Sequence, residues 1–385
     1  MLVRRAPAPA ALSPNAPQCP KRNYWKKLRE AQALEAGGDL PGGQNNGTTT
    51  LSSDAASVTP APEGASSTPV TLSSSEANSS SKASNEKPSA TSSSAAPAKT
   101  SSSSSTPIKG SLGQLFPVGS SGRSWTTAPE SDEALSLSDG TLQPFSVLRS
   151  VPYKFTSAPD GKRALQAEYP KGSYTFTHSP QGGFSFYAKG PDSVDLTKAK
   201  EATFGYRIYF PAGFAFNKGG KLPGFYGGDN DDEATSCSGG RRSDACFSAR
   251  LMWREGGDGE LYTYFPPGSS ANEKLCKVPP FSECNETYGA SVGRGAFNYG
   301  TGGWATVAQR VKLNDVGQSN GELQLWVNGK SVISVKGLVM RVRESGKIRG
   351  IQFQTFFGGS TSAWASPKDQ EAYFSDFSVA ITESF

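Results

Sequence analysis

Histidine is nearly missing from this 385-residue chain: His178 stands alone, in a YTFTHSP stretch that reads as the end of a strand. One imidazole in such a place is expected to play a structural or surface role, not to carry acid–base chemistry. There is no Cys-x-x-Cys pair and no histidine-containing ligand set, so neither a metal nor a cofactor is expected. The acidic run at 229–233, Asp-Asn-Asp-Asp-Glu, lacks the glycine and final glutamate of an EF-hand loop and reads as a solvated acidic loop. Long apolar runs are also missing. No segment is suited to crossing a membrane, and the first residues, MLVRRAPAPAALSPNAP, lack the apolar stretch of a signal peptide, so either the start comes from an incomplete gene model, the favoured reading, or export uses another route.

A large excess of one charge is lacking as well. Residues 1–122 hold 11 of the 39 basic and 7 of the 34 acidic residues, which leaves 28 against 27 beyond them. General attraction to polyanions is therefore not expected, and any preference for anions must be local, in a groove lined by Lys221, Arg250 and Arg254. Composition divides the chain into three parts. Residues 1–43 form a tail with a short helix expected over 23–38, ending at glycine. Residues 44–122, rich in Ser, Thr, Pro, Ala and Gly, cannot bury enough apolar surface to offset chain entropy and are expected to be a disordered linker, suited to O-glycosylation. Residues 123–385 are expected to form one domain.

That domain reads as all-β. In RALQAEY (163–169) Leu165, Ala167 and Tyr169 alternate with Gln166 and Glu168, and TFGYRIYF (203–210) and FSVAI (377–381) alternate in the same way. Asn328-Gly329 between two apolar runs signals a two-residue hairpin. Many strands, frequent Gly/Pro turns and no long helix point to a two-sheet β-sandwich of the jelly-roll type, with one concave face open to a ligand. The five cysteines suit an oxidising, extracellular location. Cys237–Cys246 and Cys276–Cys284 are the simplest pairs, although four cysteines allow three connectivities, and Cys19 is left over. Asn285, Asn46 and Asn78 begin N-glycosylation sequons.

Three stretches carry the chemistry: KLPGFYGG (221–228), FSARLMWR (247–254) and ELYTYFP (260–266). Strand alternation places Ser248 and Arg250 on one face and Phe247, Ala249, Leu251 and Trp253 on the other, the core face. In the same way Tyr262 and Tyr264 oppose Leu261 and Phe265. The intervening EGGDGE can reverse as a hairpin. Only an odd-length loop brings both polar faces to one side, because a one-residue slip inverts every side chain. A three- or five-residue loop centred on Gly257 is expected, with Arg250 directly across from Tyr264.

Cations and phenols on one surface suit β-elimination from an acidic polysaccharide. The C5 proton of a uronate must be made more acidic and removed, and charge developing on its carboxylate must be stabilised. Lys221 and Arg250 can neutralise that carboxylate and Ser248 can donate a hydrogen bond to it. A tyrosine, with an ordinary pKa of about 10, becomes a base when neighbouring cations favour its ionised form, and the same phenol or its neighbour can return a proton to O4. Gln352 and Gln354, which share a strand face, are candidate sugar contacts.

These motifs, with GIQFQTFFGG (350–359) and WASPKDQEAYFSDF (364–377), resemble polysaccharide lyase family 14 over roughly 145–385. The resemblance implies a β-jelly-roll alginate or glucuronan lyase in which Lys221 is the essential lysine, Ser248 and Arg250 the Ser-x-Arg pair, and Tyr262 and Tyr264 the Tyr-x-Tyr pair. The insertion-like 229–246 stretch and the long N-terminal tail depart from the animal and viral alginate-degrading members. The implied partner is an acidic polysaccharide bound by a monomer, with no nucleic acid and no membrane. Two rivals are a carbohydrate-binding module without catalysis and a glycoside hydrolase. The hydrolase would need two carboxylates across the groove, whereas the nearest acids, Glu255, Asp258 and Glu260, are assigned to the turn.

Overall fold

The computed structural model describes Ile108, residues 110–120 and residues 122–385. The helix expected over 23–38, most of the linker, Cys19, Asn46 and Asn78 lie outside the described residues. Sixteen strands occur among the described residues. The first eight are β1 (Ser124–Thr126), β2 (Pro144–Phe145), β3 (Lys154–Ser157), β4 (Arg163–Tyr169), β5 (Phe184–Ala188), β6 (Ala199–Phe210), β7 (Gly219–Gly228) and β8 (Cys246–Arg254). The others are β9 (Asp258–Tyr264), β10 (Phe281–Asn285), β11 (Gly289–Asn298), β12 (Gly303–Lys312), β13 (Gly321–Val327), β14 (Lys330–Leu338), β15 (Lys347–Phe357) and β16 (Gln370–Ser384).

They form two antiparallel sheets. One runs β14-β13-β12-β6-β16-β4-β3, with β1 also paired to β16; the other runs β10-β11-β9-β8-β7-β15-β5-β2. The architecture is a two-sheet β-sandwich of jelly-roll type, as the alternating pattern predicts. Apolar positions of both inner faces meet in one core. Phe204 lies 5.8 Å from Phe225 and 6.1 Å from Phe353 across the sheets, and Tyr206 Oη donates to the Pro223 carbonyl at 3.3 Å. Trp253 is fully buried in this core, as assigned. Asn328 and Gly329 both adopt positive φ, at 49° and 79°, and form the two-residue turn between β13 and β14.

Both short-range cysteine pairs are present. Cys237–Cys246 has its Cα atoms 5.7 Å apart and Cys276–Cys284 has them 5.4 Å apart, within the ordinary disulfide range. The acidic 229–233 run is largely exposed, as expected, and several of its groups are also tied to neighbouring residues. Asn230 Oδ1 accepts from Glu233 N at 2.9 Å and caps a short helix over Asp231–Ala234. Asp229 pairs with Arg343, and Asp231 with Arg349.

Two expectations about organisation are corrected. His178 lies in a turn, not at a strand end; it is exposed, stacks on Tyr174 at 4.5 Å and has Thr175 and Thr177 hydroxyls within hydrogen-bond distance of its Nδ1. The compositional boundary at 122 cuts into folded structure. Residues Ser111–Leu115 form a helical turn, and buried Leu115 and Phe116 pack with Ala128 and with Ala380 of β16. Leu115 and Phe116, with Ile108 and Leu112 packed against the same cluster, are too few beside the long polar stretch before them to shift composition, yet enough to seal the outer face of a sheet.

Leu115→Ala should therefore destabilise the domain by about 3 kcal/mol, the usual range for an emptied core leucine site. Denaturant unfolding of that variant, and of a chain begun at residue 123, measures it; unchanged midpoints would show that the segment adds nothing.

Candidate active site

The outer face of the second sheet carries the candidate residues on four adjacent strands. The β8–β9 register sets Ser248 across from Tyr264, Arg250 across from Tyr262 and Met252 across from Glu260. The loop is odd in length, as expected, and both polar faces fall on one side. Its centre is one residue earlier than expected, at Gly256, so Arg250 opposes Tyr262 in place of Tyr264. The cause lies outside the hairpin. The Gly257 carbonyl accepts from Tyr299 N at 2.9 Å, and Asn298 donates to Gly256 O, which ties the base of the loop to the end of β11.

Lys221 reaches the same face through an irregularity in β7. The β7–β8 register shifts between Leu222 and Phe225, so both of those enter the core while Lys221 and Tyr226, an odd and an even position, both turn outward. Pro223 fits such a bulge because it has no N–H to pair. Gly224 fits because a Cβ there would lie 2.1 Å from the Ala249 carbonyl oxygen. Simple alternation would have separated Lys221 from Tyr226, and nothing in KLPGFYGG but its Pro-Gly pair signals the shift.

The groups converge on one phenol. Lys221 Nζ lies 4.6 Å from the centre of the Tyr262 ring and Arg250 Cζ 5.5 Å from it, within the range of cation–π attraction. The hydroxyls of Tyr262 and Tyr264 are 3.1 Å apart, with the rings edge to face. Arg250 Nη1 donates to Gln354 Oε1 at 2.6 Å, Gln352 Nε2 to the same oxygen at 3.3 Å, and Gln354 Nε2 to Ser185 Oγ at 3.3 Å. Gln352 and Gln354 thus form a buried floor that aims the guanidinium. Ser248, Arg250 and Tyr264 are fully buried, whereas Tyr262 and Lys221 keep 7% and 8% of their surface, so these two form the accessible part.

Part of the cover comes from the 229–246 stretch. Its disulfide packs with Met252, Tyr262 and Tyr264. Ser248 Oγ donates to the Cys237 carbonyl at 3.1 Å, so its proton points into this loop and not toward an anion on the open side. Gly240 N donates to Tyr264 Oη at 3.2 Å. These contacts have no trace in strand alternation, because a loop's path is not periodic.

Arg254 continues the row but is engaged. Its Nη2 lies 2.6 Å from Glu260 Oε1, and Arg294 Nε lies 2.9 Å from Glu260 Oε2, where Ser291 Oγ also donates. Glu260 is therefore not a turn residue. It is a fully buried strand residue, and although burial alone would raise its carboxyl, Arg254, Ser291 and Arg294 hold it below its ordinary value of 4.5. A carboxyl kept ionised in this way is unsuited to be the general acid of a glycosidase. Among the described residues no cluster of three or more His, Cys, Asp and Glu is placed to hold a metal ion. Asn285 is exposed at the end of β10, where its Oδ1 accepts from the amides of Thr287 and Tyr288.

The polysaccharide lyase 14 family model matches residues 157–377, more than half of the chain. The structure of the marine PL-14 alginate lyase from Aplysia kurodai is 33% identical with a TM-score of 0.57, over 67% of this chain and 98% of that one. An alginate lyase from Chlorella virus is 29% identical with a TM-score of 0.51, over 63% and 93%. Exolysin of Paramecium bursaria Chlorella virus 1 is 30% identical over 176 residues, 40% of this chain and 25% of that protein, so the chain spans about a quarter of the length of the curated relative it matches. The chain belongs to the polysaccharide lyase 14 family.

The Glu260 cluster has a measurable pH signature. A carboxyl whose pKa is lowered in the folded state adds stability above its unfolded value, and that stability is lost as pH falls through the folded value. Glu260→Gln should cost about 3 kcal/mol at pH 7, in the range for breaking a buried ion pair. The gap between the two thermal midpoints should narrow as pH drops below 4.5; a gap independent of pH would remove the charge from the explanation.

Proposed function

We propose that the protein cleaves a 1,4-linked polyuronate by β-elimination, with alginate as the first candidate substrate and glucuronan as the second. The observation that carries this reading is the meeting of Lys221 and Arg250 at the ring of Tyr262, whose hydroxyl is within hydrogen-bond distance of Tyr264. The two cations neutralise the uronate carboxylate, which makes the C5 proton more acidic. They also favour the ionised form of the adjacent phenol, which can then take that proton. The electron pair left at C5 forms the C4=C5 double bond, the C4–O4 bond breaks, and O4 leaves with a proton returned by the phenol. Gln352, Gln354 and Arg254 serve as binding groups, the first two by orienting Arg250 and the third at the edge of the site.

Alginate leads because the two structures most similar in sequence among those described are both alginate lyases. The two disulfides support an oxidising, extracellular location and the exposed Asn285 supports glycosylation there. The protein is proposed to act as a monomer, without nucleic acid or membrane partners.

Ultraviolet absorbance after mixing with a panel of defined polyuronates tests the reading, because only a lyase creates an unsaturated uronate. Chain shortening without that absorbance would indicate a hydrolase, and binding without shortening a carbohydrate-binding module. Tyr262→Phe, Lys221→Ala and Arg250→Ala should each lower kcat/KM by at least ~100-fold, the scale of a lost acid–base group or charge-stabilising donor. A normal rate in any of them would remove that residue from the mechanism.

A further inference from the structure

The two tyrosines are not equivalent, and the element that distinguishes them is the disulfide-closed loop between β7 and β8. We infer that this loop is part of the catalytic apparatus: through the Gly240 amide it makes Tyr264 a positioning residue and leaves Tyr262 as the phenol that meets the sugar. The inference rests on the β-elimination reading and assigns roles within it.

Direction follows from the donors. A backbone N–H can only donate, so at 3.2 Å Gly240 N occupies acceptor capacity of Tyr264 Oη. The Tyr264 hydroxyl hydrogen is then well placed to point at Tyr262 Oη, 3.1 Å away. The resulting chain runs from Gly240 N–H through Tyr264 O–H to the Tyr262 oxygen, and each link polarises the next. A phenolate at Tyr262 receives a donated hydrogen bond in this arrangement, which favours its ionised form. Burial agrees: Tyr264 is fully covered and Tyr262 is not.

The loop is built to hold that amide in place. Gly239 and Gly240 take φ of 66° and 77°, a left-handed pair that other residues adopt only with strain. The Cys237–Cys246 bond closes the loop on either side of them, and the Cys237 carbonyl accepts from Ser248 beside Tyr264. Charged side chains come from several elements around the pair, Arg241 following Gly240 in the loop itself. Lys221 comes from β7 and Arg250 from β8, while Glu260 on β9 is held by Arg254 and by Arg294 of β11. From the loop, Arg242 donates to the Phe265 and Glu286 carbonyls and Asp244 pairs with Arg343. The facing residues of β15, Gln352 and Gln354, are uncharged. A shift in the pH profile on removing the Tyr264 hydroxyl therefore reports on the hydrogen-bond chain.

The test is kcat/KM against pH for the full-length protein, Tyr262→Phe, Tyr264→Phe and the Cys237→Ser/Cys246→Ser double variant. Tyr262→Phe should lose at least ~100-fold at every pH. Tyr264→Phe should lose about tenfold near neutrality and recover at alkaline pH, because its acid limb moves up by about one to two pH units, the equivalent of one hydrogen bond to a charged group. The double variant should move the limb the same way by less. A pH-independent loss in Tyr264→Phe, or an active Tyr262→Phe beside an inactive Tyr264→Phe, would overturn the assignment while the unsaturated product from the native protein keeps the lyase reading intact. Should the double variant fail to fold, Tyr264→Phe decides alone, since it keeps the buried ring.

Discussion

The pairing of β8 with β9 is the constraint on which the outer face of the second sheet depends. Side chains on paired strands alternate together, so one register decides at once that Ser248, Arg250, Tyr262 and Tyr264 share a surface and that Phe247, Leu251, Trp253, Leu261 and Phe265 share the core. The aromatic core makes this register costly to change. Moving it by one residue would expose Trp253 and bury the Arg250 guanidinium between the sheets, where no aqueous or anionic partner could offset its desolvation.

A second constraint is the near-neutrality of the domain. Residues 123–385 carry 28 basic and 27 acidic side chains, so the positive character of the site is produced by placement and not by excess. Glu260 absorbs Arg254 and Arg294 at one end of the row. Arg250 meets the neutral amide of Gln354, and Lys221 faces the rings of Tyr262 and Phe356. Amides and aromatic faces orient a cation through its donors and its charge. Arg207, paired with Asp376 and Glu130, and Arg310, paired with Glu201 and Glu322, belong to the other sheet.

Much of this was legible in the chain itself. Alternation over 163–169 and 203–210 located β4 and part of β6, and Asn328-Gly329 located the β13–β14 turn. The odd length of the β8–β9 loop was legible because only that parity reconciles the polar faces. Its centre was not, because Tyr299 and Asn298, over 40 residues away, bind the loop carbonyls and move the apex to Gly256. The burial of Glu260 was hidden for a related reason. A glutamate beside a glycine-rich turn reads as solvated until β11 brings Arg294 and Ser291 against it. Composition likewise placed the domain boundary too late, because a few apolar residues between 108 and 116 are outweighed by the long Ser/Thr-rich stretch before them.

The sequence by itself determined the all-β sandwich, the inner and outer faces of its strands, the two short-range disulfides as the simplest pairs and the set of cations and phenols available for chemistry. Those properties follow from period-two alternation and residue type, which are local. Tertiary structure alone decided that Lys221 and Tyr226 share a face, that Arg250 opposes Tyr262 and that Gly240 touches Tyr264. Each depends on a bulge, a cross-strand tie or a loop path, and these are set by contacts between residues far apart in the chain, which no local pattern encodes.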